Sequence, residues 1–371
     1  MWVKNFIRNI SNLPGWRTDR KIIVIESDDW GSIRMPSKKS FEKLQKMGLN
    51  LTGSDSERYN LYETIECKED LEGLFEVLYA FTDANKNKPV VTALSLVANP
   101  DFEKIKNNDF TSYYYEPFTE TLKSYNRAGV LEMYEEGIKQ QLFVPQFHGR
   151  EHLNVAAWMK ALQQGDKATH AAFAEGCWGF INAHPYNIIY QAAFDIFDPG
   201  EIEVQKTIIQ SGLKLFEDIF RYKASFFVPP NGPFNNSLEQ VAAQNGIRYM
   251  SSSKIQNEPL GFGKTKMRFH YLGQKNNFDQ LYITRNCFFE PSQQGRNWVD
   301  TCVNEIDIAF KWKKPAVISS HRVNYIGGLD ESNRKKGLDA IKTLLKTIVT
   351  KWPEAEFMTS SQLGETIRSG K

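Results

Sequence analysis

The chain has 371 residues and a net charge of +2, from 46 basic and 44 acidic side chains. This length suits one large domain or two ordinary ones, and the near balance of charge provides no field of one sign that would steer nucleic acid or an acidic membrane. No apolar run is long enough to span a membrane, and the amino terminus lacks the continuous apolar core of a signal peptide. We therefore expect a cytoplasmic globular protein that does not bind nucleic acid.

The predicted elements alternate between strands and helices. Residues 1–18 predict a short amphipathic helix. Apolar runs that are typical of buried strands then recur at 21–26, 90–97, 141–147, 178–183, 224–228, 280–284, 315–319 and 355–358. Helical periodicity lies between most of them, as in 201–220 and 332–349. This alternation predicts a parallel α/β architecture. We expect a single domain over 1–371, with insertions within 40–130.

Polar side chains follow many of these runs, which favours a (β/α) barrel over an open doubly wound sheet. Function in such barrels lies at the carboxyl ends of the strands. No glycine-rich GxGxxG turn follows the first run, which disfavours a dinucleotide-binding sheet. The residues in question are Asp28, Asp29, His148, His152, His184, the Pro229–Gly232 turn, Arg285 and His321.

Asp28 and Asp29 pose the first chemical question, because two buried charges are costly without a cation. Neighbouring side chains on a strand face opposite ways, so both can serve one site only where the strand has ended and Trp30-Gly31 bends the chain. His148 and His152 have the spacing that a helical turn brings to one face. With one aspartate they predict three ligands for a divalent ion, with a position left open for water. The alternative is that both histidines cap a helix or bond to backbone.

The order of these segments resembles the polysaccharide deacetylases of the chitin deacetylase type, over roughly residues 20–325. The family's Thr-Phe-Asp-Asp-Gly motif corresponds to Glu26–Gly31, and its His-Ser/Thr-x-x-His motif to His148–His152. The resemblance implies an irregular (β/α) barrel, commonly of seven parallel strands. It also implies Asp29, His148 and His152 as metal ligands, Asp28 as general base, and His321 as general acid, the last through the loosely matching Ile318–His321.

The family's Arg-x-Pro-Tyr motif is altered in this chain. Pro230 is kept, but Val228 stands at the arginine position and Asn231 at the tyrosine position. The Asn231 N–H can still serve an oxyanion hole, since a backbone donor does not depend on the side chain. The arginine that orients the base must come from elsewhere, and Arg285, Arg150 and Arg322 are the alternatives.

The resemblance implies a metal-dependent hydrolase that removes acetyl groups from an N- or O-acetylated sugar or a polysaccharide precursor. The expected cofactor is one divalent ion, with zinc favoured; cobalt, nickel, manganese and iron suit the same donors. A C–N hydrolase of a small amide on the same fold is one alternative. A catalytically impaired carbohydrate-binding protein with a retained metal site is another. The roles of Glu151 and His184, the exact substrate and the oligomeric state stay open.

Overall fold

The computed structural model describes residues 2–52, 56–181 and 188–370. The strands are β1 Ile22–Trp30, β2 Val91–Leu96, β3 Ala98–Pro100, β4 Tyr115–Pro117, β5 Phe143–Gly149, β6 Phe226–Phe227, β7 Tyr249–Ser251, β8 Ile255–Gly261, β9 Lys264–Phe269, β10 Leu281–Ile283, β11 Cys287–Phe288, β12 Ala316–His321 and β13 Glu356–Phe357.

The helices surround these strands. They are α1 Trp2–Ser11, α2 Lys38–Lys46, α3 Ser56–Tyr62, α4 Lys68–Tyr79, α5 Phe102–Asn107, α6 Phe118–Ser124, α7 Val130–Lys139, α8 Val155–Gln163, α9 Lys167–Ala174, α10 Glu201–Phe220, α11 Glu239–Gln244, α12 Trp298–Lys311, α13 Glu331–Lys351 and α14 Ser360–Ser369. Short 3-10 turns cover Asn236–Leu238 and Arg322–Asn324. Among the described residues no helix is both long enough and apolar enough to cross a bilayer.

The main sheet is parallel and has the strand order β10-β7-β6-β5-β2-β1-β12-β11, and β13 pairs with the start of β1 on the side opposite β12. The expected parallel α/β architecture is therefore confirmed. The expected count of seven strands is wrong, because eight strands follow one another in this order within the described ranges. The strands β7 and β11 have only three and two residues, and segments that short give no hydrophobic period to detect.

The sheet curls because its two edge strands are consecutive in the chain. Only Thr284, Arg285 and Asn286 lie between β10 and β11. Four Cα steps of at most about 3.6 Å cannot span more than roughly 14 Å, so the two edges must lie close together. The result is a parallel half-barrel with a seam between β10 and β11, and Arg285 lies in that seam.

The helices pack on this sheet with the faces that their periodicity predicts. In α10 the side chains of Ile209, Leu213, Phe216 and Phe220 are all buried. In α13 the buried residues include Ile341, Leu345 and Ile348. The strand β1 is buried along its whole length, as expected for the centre of a sheet with both faces covered.

One predicted strand is not formed in the part of it that the structure describes. Residues 178–181 of the run 178–183 have no strand structure, and the remainder of that run lies outside the described residues. Trp178 is buried, and its indole N–H donates to the Ile33 carbonyl oxygen at 2.8 Å. The apolar character of this segment therefore reflects side chains that are buried in a loop. Hydrophobic periodicity cannot distinguish a short buried loop of this kind from a buried strand.

Two small antiparallel pairs lie outside the main sheet. The strands β3 and β4 pair within the 40–130 region, which also holds most of α2 and all of α3 to α6. The strands β8 and β9 form a hairpin after β7. The single-domain assignment over 1–371 stays a prediction.

Candidate metal centre and its pocket

Asp29 is presented by a distortion within β1. Its φ is +77°, and the pairing of β1 with β2 shifts register between Ser27 and Trp30. The expectation that the strand ends before the aspartates is therefore wrong. A bulge of this kind re-aims side chains near the end of a strand, so Asp28 and Asp29 reach one pocket although they are neighbours on a strand.

Gly31 makes the next turn possible. Its φ is +82°, and a Cβ there would lie 2.3 Å from the Leu96 carbonyl oxygen. Its N–H donates to the buried Glu66 carboxylate at 3.0 Å. The backbone after the aspartates is thus held by contacts that only glycine permits.

His148 and His152 come together through a bend rather than through a helical turn. His148 belongs to β5, and Gly149 has a φ of +138°. The next helix, α8, begins only at Val155. The helical reading of the HxxxH spacing is therefore wrong, although the two rings do meet, with centroids 5.4 Å apart.

The three expected ligand side chains lie together and are buried. Their donor atoms are all within 4.8 Å of one another. The Nε2 atoms of His148 and His152 are 3.3 Å and 3.2 Å from Asp29 Oδ1. This geometry is compatible with one divalent ion, and it does not identify the ion.

The protonation pattern fits a cation at this point. His148 Nδ1 lies 2.7 Å from the Val228 carbonyl oxygen and donates to it, so Nε2, which faces Asp29, is the nitrogen whose lone pair is available to a metal ion. Asp29 Oδ1 is buried and has no hydrogen-bond donor among the described residues. A lone pair and a carboxylate oxygen that face each other in a buried site repel unless a cation lies between them.

The ionisation of the other two expected ligands, His152 and Asp29, is also compatible with a metal ion. Burial lowers the pKa of His152, so its imidazole is neutral near pH 7. Burial acts to raise the pKa of Asp29, but positive charge on the facing His152 and His148 outweighs it and holds that pKa well below its usual range; a metal ion between these groups would act in the same sense. A carboxylate and neutral imidazoles are the forms that bind metal.

Asp28 is held by an arginine from the barrel seam. The Arg285 guanidinium donates to both carboxylate oxygens of Asp28, at 2.6 Å and 2.7 Å, and to Glu26 at 2.5 Å. Although burial acts to raise it, the pKa of Asp28 is lowered by Arg285. A bidentate pair of this kind fixes the orientation of the carboxylate as well as its charge.

His321 has a carboxylate partner that the sequence did not reveal. Its Nδ1 lies 2.6 Å from Glu290 Oε1, and its Nε2 is 3.7 Å from Asp28 Oδ2. Glu290 is itself held by Arg58 and by the Asn324 amide. Burial acts to lower the pKa of His321, but Glu290 outweighs it and raises that pKa to about 9. His321 is therefore a cation at neutral pH.

These groups line one pocket of about 840 Å³. Its lining includes Asp28, Asp29, His148, His152, Arg285 and His321. Asn231 lines it too and has a φ of +59°. Pro230 is buried behind it, beside Gly149. Tyr59 and Arg34 also line the pocket, with the Tyr59 ring against that of His321.

The remaining candidate residues lie elsewhere. Arg150 forms a bidentate ion pair with Glu151, both contacts being 2.6 Å, and stacks on Tyr115. Arg322 is fully buried and pairs with Glu63 and Glu66. Neither arginine contacts Asp28, so Arg285 alone of the three alternatives does. His184 lies outside the described residues.

Glu290 and Glu26 are the residues that the sequence analysis missed. Glu290 follows the two-residue strand β11, which was itself not recognised, and Glu26 lies inside an apolar strand run. A carboxylate within such a run is itself a signal, because an acid buried in a strand needs a cation nearby.

No family model matches the sequence, and no curated protein matches it. Several solved structures are similar in shape. A probable polysaccharide deacetylase from Pseudomonas aeruginosa PAO1 is 9% identical with a TM-score of 0.47, covering 94% of this chain and 91% of its own. A variant of the peptidoglycan deacetylase PdaC from Bacillus subtilis is 10% identical with a TM-score of 0.38, covering 95% of this chain and 93% of its own.

A 4-alpha-glucanotransferase from Thermococcus litoralis is 11% identical with a TM-score of 0.45, covering 92% of this chain and 40% of its own. The similar structures therefore include proteins with different chemistries. At these identities and TM-scores they assign the chain to no family and to no activity.

Proposed function

We propose that this protein is a metal-dependent hydrolase that removes acetyl groups from an N- or O-acetylated sugar or a polysaccharide precursor, in the manner of the polysaccharide deacetylases that its motifs resemble. One observation carries the proposal. The buried Asp29, His148 and His152 group adjoins both a carboxylate held by an arginine and a histidine held by a carboxylate, and all of them open into one pocket.

The donors suit zinc best among the candidate ions, because two imidazoles and one carboxylate are a common catalytic zinc set. Asp29, His148 and His152 would hold the ion. A divalent ion bound there would lower the pKa of a water molecule and polarise an acyl oxygen.

The chain's own residues supply the proton transfers. Asp28 is ionised and oriented by Arg285, so it can accept the proton of the attacking water. His321 is protonated through Glu290 and can donate to the departing amine or alkoxide. The Asn231 N–H lies on the pocket-lining turn and is the candidate donor to the oxyanion.

Arg285 also bears on the alternative of an impaired binding protein. That alternative rests on Val228, which stands where the family has its arginine. Arg285 makes the bidentate contact to Asp28 from the connection between β10 and β11, so the missing motif residue is no reason to expect an inactive site.

The test is acetate release from a panel of N-acetylated and O-acetylated mono- and oligosaccharides, with and without added Zn²⁺. Asp28→Asn should keep Zn²⁺ binding, measured by calorimetry, and lose turnover. His152→Ala should lose both. Turnover by Asp28→Asn would contradict the base assignment, and metal-independent turnover would contradict the whole proposal.

Two further outcomes separate the alternatives. Release of amine from a panel of small amides, without acetate from any sugar, would favour the C–N hydrolase. Binding of both Zn²⁺ and acetylated sugar without product would favour the carbohydrate-binding protein.

A further inference from the structure

Lys254 is a cation of the pocket lining to which the proposed proton transfers give no role. It follows the end of β7 by three residues, so it lies at the same carboxyl edge of the sheet as Arg285 and His321. Ligands of parallel α/β proteins bind at this edge. The backbone of Lys254 is fixed there, because its carbonyl oxygen accepts from the His270 N–H at 3.0 Å. The side chain is half-buried and lines the same pocket as the metal group.

The Lys254 ammonium is held against the end of helix α1. Its Nζ donates to the Ser11 carbonyl oxygen at 2.8 Å and to the Ser11 hydroxyl at 3.2 Å. Ser11 is the last residue of α1 and also lines the pocket. An ammonium has three hydrogens, and among the described residues only Ser11 accepts from this one. One hydrogen is therefore left for an oxygen atom of a ligand in the pocket.

Lys254 also lacks the carboxylate partner that the other cations of this pocket have. The four other cationic side chains of the described lining each form an ion pair, and these pairs are Arg8–Glu305, Arg34–Glu63, Arg285–Asp28 and His321–Glu290. Among the described residues the acidic group that acts to raise the pKa of Lys254 is the Cys287 thiol. Burial raises the pKa of that thiol well above its ordinary value, so it is neutral and does not compensate the ammonium.

The uncompensated charge is costly because the side chain is partly removed from water. Burial lowers the pKa of Lys254 to about 8, so the side chain is still a cation at neutral pH. The carboxyl end of α1 offsets this charge only in part, since a helix terminus carries roughly half an elementary charge. An anion in the pocket would supply the remainder.

Arg8 adds a second positive group beside Lys254. It precedes Ser11 by three residues on α1, a spacing that places both side chains on one face of the helix. Lys254 and Arg8 both act to lower the pKa of the Cys287 thiol against the larger effect of burial, so both lie near that thiol. We call Arg8, Ser11 and Lys254 the basic wall of the pocket.

We propose that the basic wall binds an anionic group of the substrate, a phosphate or a carboxylate that the acetylated sugar carries in addition to its acetyl group. The inference rests on the proposed function, because it names the class of sugar that the same pocket takes. The volume of about 840 Å³ lies in the upper part of the range for small-molecule sites, which runs from about 300 to 1,000 Å³. The pocket therefore has room for a ligand much larger than an acetyl group.

The alternative is that Lys254 is a structural lysine that only ties α1 to the rest of the protein. Lys314 is such a residue. It is buried, and its ammonium donates to three carbonyl oxygens, those of Pro14, Gly15 and Trp16, at 2.8, 2.6 and 2.8 Å. All three of its hydrogens are therefore used, and it is not among the residues that line the pocket of the metal group. Lys254 differs from Lys314 in both respects.

The test is calorimetric titration of the full chain, without added metal ion, with three probes: N-acetylglucosamine, N-acetylglucosamine 1-phosphate and N-acetylmuramic acid. We expect the two anionic probes to bind at least about tenfold more tightly than the neutral one, because hydrogen bonds to charged groups are the stronger ones. The anionic probe that binds more tightly identifies the group as phosphate or carboxylate. Lys254→Met should weaken binding of that probe by about tenfold to a hundredfold and leave the neutral probe unaffected.

Three further variants separate binding of an anion from structural damage. Lys254→Arg keeps the charge and should keep the preference for the anionic probe. Lys254→Gln removes the charge but keeps an amide donor for Ser11, so it should lose the preference with a smaller effect on folding than Lys254→Met. Lys314→Met removes a buried ammonium that does not line the pocket, and it should keep the preference. Because each variant is compared on charged and neutral probes, a general loss of folding would weaken both and would not imitate the expected result.

Two results would overturn the inference. One is equal affinity of the unaltered chain for charged and neutral probes. The other is a preference for the anionic probe that Lys254→Met and Lys254→Gln both retain, which would place the anion away from the basic wall. A preference that depends on Lys254 without any Zn²⁺-dependent release of acetate would refute the proposed function and leave the anion site. Release of acetate without any preference would refute the anion site alone.

Discussion

Replacing Arg285 by methionine tests whether the arginine at the barrel seam stabilises the buried carboxylates of the site. Methionine keeps much of the apolar stem and removes the guanidinium. Arg285 is the shared partner of Glu26, which is fully buried, and of Asp28, whose side chain is 6% exposed. The variant leaves both carboxylates in the protein interior without their cation.

The magnitude follows from that burial. Breaking a buried ion pair by removing one partner costs about 3–5 kcal/mol, because the remaining charge is uncompensated. Ser360 still donates to Glu26, and no comparable donor among the described residues replaces the bidentate contact to Asp28. We expect the free energy of unfolding to fall by about 3–5 kcal/mol near pH 7, measured by urea denaturation.

The pH dependence of the stability difference distinguishes loss of this ion pair from a general structural defect. In the unaltered protein the pKa of Asp28 is lowered by Arg285 against the effect of burial, so this contribution to stability is present above the ordinary pKa of 3.8 and is lost as pH falls. In the variant the largest effect that opposes burial is gone, so the pKa of the folded carboxylate rises. The stability difference between the two proteins should therefore narrow as the pH is lowered from 7 toward 4.

Arg20→Met is the matched control. Arg20 also makes a bidentate contact, to Glu356 at 2.9 Å and 2.8 Å, but its side chain is 39% exposed. A solvent-screened pair of this kind contributes at most about 1 kcal/mol. Equal costs for Arg285→Met and Arg20→Met, or a stability difference that does not change with pH, would refute the role assigned to the seam arginine.

Three further predictions concern the neighbouring residues. Glu290→Gln removes the carboxylate that raises the pKa of His321 to about 9, so the alkaline limb of the pH profile of acetate release should move toward the ordinary value of 6.5; an unmoved limb would exclude His321 as the acid. His152→Ala should abolish the rise in melting temperature that Zn²⁺ produces in the unaltered chain; a persisting rise would place the ion elsewhere. Gly31→Ala should lower the melting temperature more than Gly48→Ala. Both glycines have φ near +82°, but only at Gly31 would the added Cβ clash with a carbonyl oxygen. Equal decreases in melting temperature would show that the positive φ, and not the clash, determines the cost.

The sequence allowed much of the scaffold to be predicted for a simple physical reason. Buried parallel strands are continuous apolar runs, and covering helices have one apolar face, so β1, β5, α10 and α13 were all recognisable from local patterns. The order of polar residues after those strands then pointed to one end of the sheet. Asp29, His148 and His152 do lie together there.

The features that escaped prediction depend on contacts distant in sequence or on single torsions. The bulge at Asp29 arises from how β1 pairs with β2, and no local pattern announces a φ of +77° at an aspartate. Glu290 approaches His321 across 31 residues, through a two-residue strand. An HxxxH spacing favours a helix by periodicity alone, but Gly149 bends the chain before a helix can begin.

The seam explains why the orienting arginine can come from so late in the chain. In a sheet with a free edge, β10 and β1 would be five strands apart in the order of the sheet. Because β10 and β11 are joined by three residues across the gap, the residue between them lies next to β12 and hence next to β1. The backbone at position 285 therefore lies beside Asp28. Arginine can bind both Asp28 and Glu26 from there, because its side chain is long and its guanidinium has several donors in one plane. Lysine at this position would keep the charge and lose the bidentate contact, so Arg285→Lys should recover stability relative to Arg285→Met without recovering the full rate of acetate release. If Arg285→Lys recovered both the stability and the full rate of acetate release, the positive charge at position 285 would be sufficient and the bidentate orientation of Asp28 would not be needed.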